Sequence, residues 1–325
     1  MKKVLKYIGL ALAAVFFVAV CAAAFVQVRG IPKYEVPKVQ AQTVAITPTR
    51  VAQGHKIVNA LCADCHMDRK TGALSGKLLT EVPPEFGKLY SANITQDKTH
   101  GIGAWSDAEL IALLRTGIGR DGRFRIVMPN FVHMSDEDVA SVVAYLRSND
   151  AQVKANPTPS HEQEPSFLAK ALVNTVMKPT PVPTSAVVTP PASDAVAYGR
   201  YLVVGRYKCY DCHSKDHKSN NALEPEKSEG YLGGGTAFIT PDGEQIPSRN
   251  ITMDPETGIG DWTEAQFVQS VRYGQGPNGT LKLPMPKFTL MDEAEAKAIY
   301  AYLRTVPVIK NATPEDGGGT AVATR

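Results

Sequence analysis

The chain has 325 residues, with 35 Lys and Arg against 32 Asp and Glu, a formal net charge of only +3. Residues 1–49 hold six basic residues and one acidic, residues 50–150 twelve of each, and residues 192–325 fourteen basic against seventeen acidic. The basic excess therefore sits near the N-terminus. The remainder offers no broad basic patch of the kind that binds phosphate, which excludes nucleic acid as the expected partner. The length fits two domains at roughly 150 residues each.

Lys2, Lys3 and Lys6 precede an apolar stretch from Ile8 to Val28 that only Gln27 interrupts. That is about the ~20 residues a helix needs to cross a bilayer. Basic residues on its short N-terminal side point that end to the cytoplasm and the rest outward. A cleaved signal peptide, with Ala22-Ala23-Ala24 as cleavage site, is the rival reading. The run is long for a cleaved segment, so residues 1–30 are expected to remain as a membrane anchor, with a juxtamembrane linker at 31–49. Cys21 follows Val20 rather than a small residue, which argues against lipid modification. The expected location is the bacterial inner membrane, held by one helix, with soluble domains in the periplasm.

Two short runs carry the chemistry: Cys62-Ala63-Asp64-Cys65-His66 and Cys209-Tyr210-Asp211-Cys212-His213. Each is C-x-x-C-H, the attachment site of a c-type haem. Two thiols three positions apart bond to the porphyrin vinyl groups, and the adjacent imidazole binds the iron. A thioredoxin-like dithiol would sit near a βαβ pattern, and none is visible. A closed zinc site would need further Cys or His at zinc spacing. Two covalently bound haem c groups are therefore expected, with Cys62, Cys65, Cys209 and Cys212 holding them and His66 and His213 on the irons.

The rest of the chain is one domain written twice. Asn93-Ile94-Thr95 recurs as Asn250-Ile251-Thr252, and Gly101-Ile102-Gly103-Ala104-Trp105 as Gly258-Ile259-Gly260-Asp261-Trp262. Arg115 matches Arg272, Met128-Pro129 matches Met285-Pro286, and Tyr145-Leu146-Arg147 matches Tyr302-Leu303-Arg304, all at an offset of 157. The haem motifs are offset by 147, so the second copy has ten extra residues between its haem motif and its Asn-Ile-Thr. Each copy reads as helical: residues 50–62 and 196–209 before the haem motifs, then a helix capped by Ser106 with Glu109 and ending at Gly117. Thr263 with Gln266 starts its counterpart, which ends near Gly274. Last helices begin at Ser135 and Asp292, with Val139, Val142, Val143 and Leu146 at helical spacing. The extra stretch 231–247, with Pro241-Asp242-Gly243, suggests a short hairpin. Between the copies, residues 151–194 are rich in Pro, Thr and Ser and read as an extended linker. Within it Phe167–Met177 has the pattern of an amphipathic helix, expected to pack on one domain. The expected domains are 50–150 and 195–306, followed by a tail at 307–325.

The sixth iron position separates electron transfer from catalysis. Met128 and Met285 are equivalent, lie in loops, and are each followed by Pro and then by Phe131 or Phe288. A thioether there makes a His/Met haem of raised potential. Met134 and Met291 are also a matched pair, but they stand at the staple position before Ser135 and Asp292 and are expected in the core. Met67, beside its own His, cannot reach across the ring. His55, His100, His133 and His217 have no equivalents in the other copy, and a His/His haem in one domain stays open. Trp105 and Trp262 either donate their indole N–H to a haem propionate or pack the haem edge. Arg115 and Arg272 are propionate partners or belong to a solvated helix face. Asn-Ile-Thr matches a glycosylation pattern, but its repetition points to a structural loop.

The order C-x-x-C-H, Asn-Ile-Thr, Gly-Ile-Gly-x-Trp, Met-Pro and a final Tyr-Leu-Arg helix resembles the membrane-associated multihaem cytochromes c. Among these it is most similar to the cytochrome subunits of membrane-bound alcohol and gluconate dehydrogenases. The resemblance spans about 50–150 and 195–306. It implies a mainly α protein, two tandem class I cytochrome c domains joined by a Pro-rich linker behind an N-terminal transmembrane helix, with Met128 and Met285 on the axial methionine. The chain departs from those subunits in having two haem motifs where they have three, and in its N-terminal anchor. The implied role is a non-enzymatic electron carrier. It would stand between a periplasmic dehydrogenase or respiratory complex and an oxidase or soluble acceptor. A dihaem peroxidase or sulfur-compound oxidoreductase, and a structural haem subunit of a respiratory supercomplex, are the alternatives.

Overall fold

The computed structural model describes residues 2–39, 43–240 and 243–313. The chain is mainly helical. Helix α1 (Lys2–Arg29) is the long apolar helix. In the first half α2 (Pro48–Leu61) runs into the short turn α3 (Ala63–His66), followed by α4 (Asp107–Thr116) and α5 (Asp136–Leu146). A central helix α6 (Phe167–Thr175) follows. The second half repeats the order: α7 (Ala195–Tyr201), α8 (Cys209–His213), α9 (Glu264–Tyr273) and α10 (Glu293–Leu303). The strands are short antiparallel pairs: β1 (Gly87–Lys88) with β2 (Glu164–Pro165), β3 (Ala237–Ile239) with β4 (Gln245–Pro247), and β5 (Gln275–Gly276) with β6 (Gly279–Thr280). The tail from 314 onward and two residues of the expected hairpin turn, Pro241 and Asp242, lie outside the described residues.

The helix signals in the sequence act as expected. Ser106 and Glu109 exchange side-chain and backbone hydrogen bonds as a capping box, as do Thr263 and Gln266. Both helices end at a left-handed glycine, Gly117 (φ 75°) and Gly274 (φ 73°), where a side chain would be strained. Thr47 caps α2 with Pro48 at its first position.

In each half the first helix crosses the last at a glycine. A Cβ on Gly54 would stand 1.9 Å from the Ser141 carbonyl oxygen, and one on Gly199 would stand 1.9 Å from that of Ala298. The two glycines are therefore equivalent, and they belong to a repeated Val-Ala-x-Gly (51–54 and 196–199) at an offset of 145. The haem motifs that follow are offset by 147, so the second copy carries two more residues between glycine and cysteine. The expected continuous helix 196–209 takes them up by widening. After Tyr201 the chain forms a π-turn over Leu202–Arg206, closed by Tyr207 N–H to the Leu202 carbonyl at 2.8 Å, and Lys208 then takes φ 50°. Such bulges are how a helix absorbs inserted residues.

The longer insertion is also not where the sequence suggested. The hairpin β3–β4 forms, but the first half has a loop of nearly the same length there. Leu74 and Leu232 are equivalent, because their carbonyls accept the amides of Ile94 and Ile251 (both 2.9 Å). His66 lies eight positions before Leu74, whereas His213 lies nineteen before Leu232. The added residues therefore occupy 214–231.

Each half has its own apolar core, and between them lies a buried ionic cluster. The Arg206 guanidinium donates to both carboxylate oxygens of Asp138 in the first half, at 2.6 and 3.1 Å. It also donates to Glu295 in the second half at 2.5 Å. These three residues are 4, 3 and 3 % exposed. Burial, the largest single effect, would lower the Arg206 pKa, but Asp138 together with Tyr201 and Tyr198 holds the group above its ordinary value. Lys56 of the first half joins through Asp292 (2.7 Å) and Glu295 (2.9 Å), and Tyr207 donates to Glu295 at 3.0 Å. Tyr201 hydrogen-bonds Ser135 and Asp138.

The segment between the halves is no free tether. Asn156 and Thr158 carbonyls accept from the Asn93 side chain, Gln163 bonds both backbone groups of Tyr90, and Val187 bonds Asp136 through its N–H and its carbonyl. Its extended course runs along the first half.

Candidate haem-binding sites

The two C-x-x-C-H runs sit in matching surroundings. Cys62, Ile94, Trp105 and Met128 all pack, partly buried, on the first core. Cys209, Ile251, Trp262 and Met285 pack likewise on the second. Each half thus gathers its cysteine, tryptophan and Met-Pro methionine at one core. Met134 and Met291 are instead buried within the cores, each 2 % exposed, as a staple residue requires.

The imidazoles are held by one nitrogen. His66 Nδ1 lies 2.7 Å from the Ala92 carbonyl oxygen, and His213 Nδ1 lies 2.8 Å from that of Arg249. A proton on Nδ1 donating to that carbonyl leaves Nε2 with its lone pair available. This is the arrangement in which a histidine serves a metal, the second nitrogen fixing tautomer and orientation. Burial lowers both histidine pKa values, which keeps the rings neutral and ligand-competent.

The accepting carbonyls stand just before Asn-Ile-Thr, which explains that repeat. Asn93 Oδ1 accepts from Thr95 N–H (2.9 Å) and Oγ1 (2.7 Å), and Asn250 does the same for Thr252 at 2.9 and 2.8 Å. The Asn93 amide then donates to the Asn156 and Thr158 carbonyls, and the Asn250 amide donates to that of Ile309 at 2.6 Å. Both asparagines are buried, so these are tight polar turns that aim a carbonyl, and they are not glycan acceptors. The histidine carbonyls accept from Gly76 and Gly234, both at 2.8 Å. Both glycines have positive φ, and any Cβ there would strike backbone at 2.4–2.5 Å. Neither these glycines nor the carbonyl acceptors were read from the sequence. The residue before each repeated Asn-Ile-Thr was the available signal.

Burial pushes the Cys62, Cys209 and Cys212 thiols up to about 12, and it raises Cys65 as well. A redox-active dithiol needs the opposite shift, toward thiolate. Among the described residues no three His, Cys, Asp or Glu side chains gather to hold a metal ion, as a structural zinc site would require. Neutral paired thiols, a singly tethered imidazole and a thioether at the same core fit a covalently attached haem.

Arg115 departs from both expectations. It is buried, and it donates to the Phe131 carbonyl at 2.9 Å, to that of Met134, and to Asp136 at 2.5 Å. It therefore pins the chain just beyond Met128 to the start of α5. Its counterpart Arg272 is half-buried over Tyr273, and its Nε has no partner. The tryptophan turns are also held differently. Arg147 donates to the carbonyls of Ile102 (2.9 Å) and Trp105 (2.5 Å), whereas in the second half Tyr300 donates to that of Trp262 at 2.5 Å.

Residues 49–146 match the family described as cytochrome C oxidase, cbb3-type, subunit III. The chain is 30% identical over 285 residues to the fructose dehydrogenase cytochrome subunit of Gluconobacter japonicus, covering 83% of this chain and 56% of that one. It is 30% identical over 221 residues to the gluconate 2-dehydrogenase cytochrome c subunit of Pantoea cypripedii (66% of this chain, 48% of that one). Against the diheme cytochrome c-type protein of Cereibacter sphaeroides it is 26% identical over 265 residues, covering 77% and 83%. The chain spans about half the length of the dehydrogenase subunits it matches. With these relatives and the matching sites on the page, the resemblance read from the sequence stands: the chain is related to the cytochrome c subunits of fructose, gluconate and alcohol dehydrogenases.

Proposed function

We propose that the chain is a dihaem electron carrier, anchored in the bacterial inner membrane by α1. In this reading two tandem class I cytochrome c domains, 50–150 and 195–306, stand in the periplasm, joined by the segment 151–194. It would accept electrons from a dehydrogenase or respiratory complex and pass them to an oxidase or soluble acceptor, catalysing no substrate reaction itself. The observation that carries this is the equivalence of the two sites: the same cysteine pair, carbonyl-tethered histidine, tryptophan and Met-Pro loop on each core. A dihaem enzyme would need one site specialised with an open position.

The haem, when bound, supplies reversible one-electron chemistry and sets the potential range through its axial ligands. The chain's residues do the rest. Cys62 with Cys65, and Cys209 with Cys212, would hold the group covalently, and His66 and His213 would present Nε2 to the iron. Met128 and Met285 would supply a thioether ligand, and the apolar lining around each would restrict water, which tunes potential. Trp105 and Trp262 would either donate an indole N–H to a haem propionate or pack the haem edge.

Near-infrared magnetic circular dichroism of the full-length protein, with carbon monoxide challenge, tests this. Two His/Met signatures and no carbon monoxide binding are expected. Met128→Ala should abolish one signature and open one iron to carbon monoxide, and Met285→Ala the other. One haem that binds carbon monoxide in the unaltered protein would overturn the carrier reading.

A further inference from the structure

The central helix α6 carries its apolar residues on the wrong side for a helix that only packs on a domain. Ala169 and Val173 are fully buried. Phe167 and Leu168 on the other face are 50 and 45 % exposed, with Ala171 and Leu172 half-exposed beside them, and Val176, which closes the helix, is 71 % exposed. Positions 167, 168, 171 and 172 fall within about 140° of one another on a helix of 3.6 residues per turn. An exposed apolar patch of this kind marks a surface that something covers.

Its place in the fold says what. Helix α6 packs against α1. Asn174 donates to the Gly30 carbonyl at 2.8 Å, and Lys170 donates to Gln27 at 3.2 Å. Ala23 and Val26, one turn apart on α1, are half-covered where nearly all the rest of that helix is exposed. The chain leaving α1 is fixed to the first half as well, through Tyr34 N–H to the Gly122 carbonyl at 2.8 Å and the Lys33–Arg123 bridge. The other end of α6 is tied down by the β1–β2 pair and by Ser166, which donates to the Glu85 carbonyl at 2.5 Å. The helix is thus held rigidly at the C-terminal end of α1.

A 28-residue helix is about 42 Å long at a rise of ~1.5 Å per residue. A hydrocarbon core of ~30 Å leaves its last turns among the headgroups. A helix bonded to Gln27 and Gly30 and lying beside Val26 and Ala23 stands at that same level. We propose that α6 lies in the membrane interface as a second lipid contact, with Phe167, Leu168 and Val176 entering the acyl boundary and Lys170 and Lys178 at headgroup height. This is the pattern of an in-plane amphipathic helix. It rests on the reading of α1 as a retained membrane anchor. One consequence is orientation: with α1 and α6 both engaged, the first half cannot swing freely about its anchor.

The test uses the full-length, haem-loaded protein in nanodiscs of phosphatidylethanolamine and phosphatidylglycerol. A diazirine-bearing amino acid replaces Leu168 or Val176, Phe16 in α1 as positive control, or Leu223, exposed on the second half, as negative control. After illumination, intact-mass analysis should show lipid adducts at Phe16, Leu168 and Val176, at least tenfold above Leu223. Adducts at Phe16 with Leu168 and Val176 at the Leu223 level would overturn the proposal while leaving the anchor intact. Protein crosslinks at Leu168 in place of lipid would overturn it in favour of a partner or a second copy. If Phe16 gives no adduct, the anchor reading fails, and lipid labelling at Leu168 alone then decides whether α6 binds the bilayer.

Discussion

The two halves share the same arrangement of core and candidate haem site, and their insertions lie where they face each other. The first half follows the common pattern with a continuous α2. The second carries two insertions, and both act at the junction. The two-residue insertion opens the π-turn that buries Arg206 against Asp138, and its Gly205 lies so close that a Cβ would meet the His133 carbonyl oxygen at 2.5 Å. Lys208, where that register shift ends, donates to the Asn130 carbonyl at 2.9 Å, two residues beyond Met128. The longer insertion brings the Ala222 carbonyl within 2.9 Å of His133 Nε2. The repeat supplies two similar candidate sites, and the added residues make these contacts between the halves.

The largest expected effect comes from breaking that junction. Arg206→Ala leaves Asp138 and Glu295 buried without their shared counter-charge. Removing one partner from a buried ionic cluster costs about 3–5 kcal/mol. Thermal unfolding followed by the haem Soret band should show a large fall in midpoint, or two separated transitions as the halves uncouple. The triple variant Arg206→Met, Asp138→Asn, Glu295→Gln removes the charges together and should recover much of the loss. If Arg206→Ala unfolds like the unaltered protein, the cluster is not what joins the halves.

A smaller and more even effect is expected at the shared crossings. Gly54→Ala and Gly199→Ala each push a methyl group into a backbone carbonyl of the facing helix. Overpacking of this kind costs about 1–3 kcal/mol. Each variant should destabilise its own half to a similar degree and leave the other half's haem spectrum unchanged. Unequal losses would show that the two cores are less alike than their helices.

How far the sequence could be read follows the same division. The helices and their caps were legible, because Ser106, Thr263, Gly117 and Gly274 act through local chemistry that needs no tertiary context. The haem motifs and Met-Pro loops were legible through repetition. The purpose of Asn-Ile-Thr was visible only as a repeat, since its role is to aim the carbonyls of Ala92 and Arg249, and any residue supplies a carbonyl. The junction was legible least. Arg206, Asp138 and Glu295 are 68 and 89 positions apart in their contacts, and single charged residues at such separations leave no pattern. Arg115 misled for the same reason, since a lone arginine on a helix reads as solvated until its carbonyl partners are seen. The shift of offset from 145 to 147 between Val-Ala-x-Gly and the cysteines was the one available sign of the π-turn.

The smallest expected effect sharpens the comparison by pH. His133 belongs to the first half and has no counterpart in the second, and it sits on the longer insertion through Ala222. Burial lowers its pKa, the Ala222 carbonyl opposes that, and the charges of Lys208 and Arg200 reinforce it against Glu226. The unfolded chain titrates this group near ~6.5. A folded pKa below that value means that protonation favours the unfolded or undocked state, so the contribution of His133 is complete above about pH 6.5 and is lost as pH falls through the folded pKa. Thermal midpoints measured from pH 7.5 down to 5 should therefore fall more steeply in the unaltered protein than in His133→Gln, which keeps a donor for the Ala222 carbonyl and cannot titrate there. Parallel slopes would mean that the docked insertion does not sense pH, and that the junction depends on the Arg206 cluster alone.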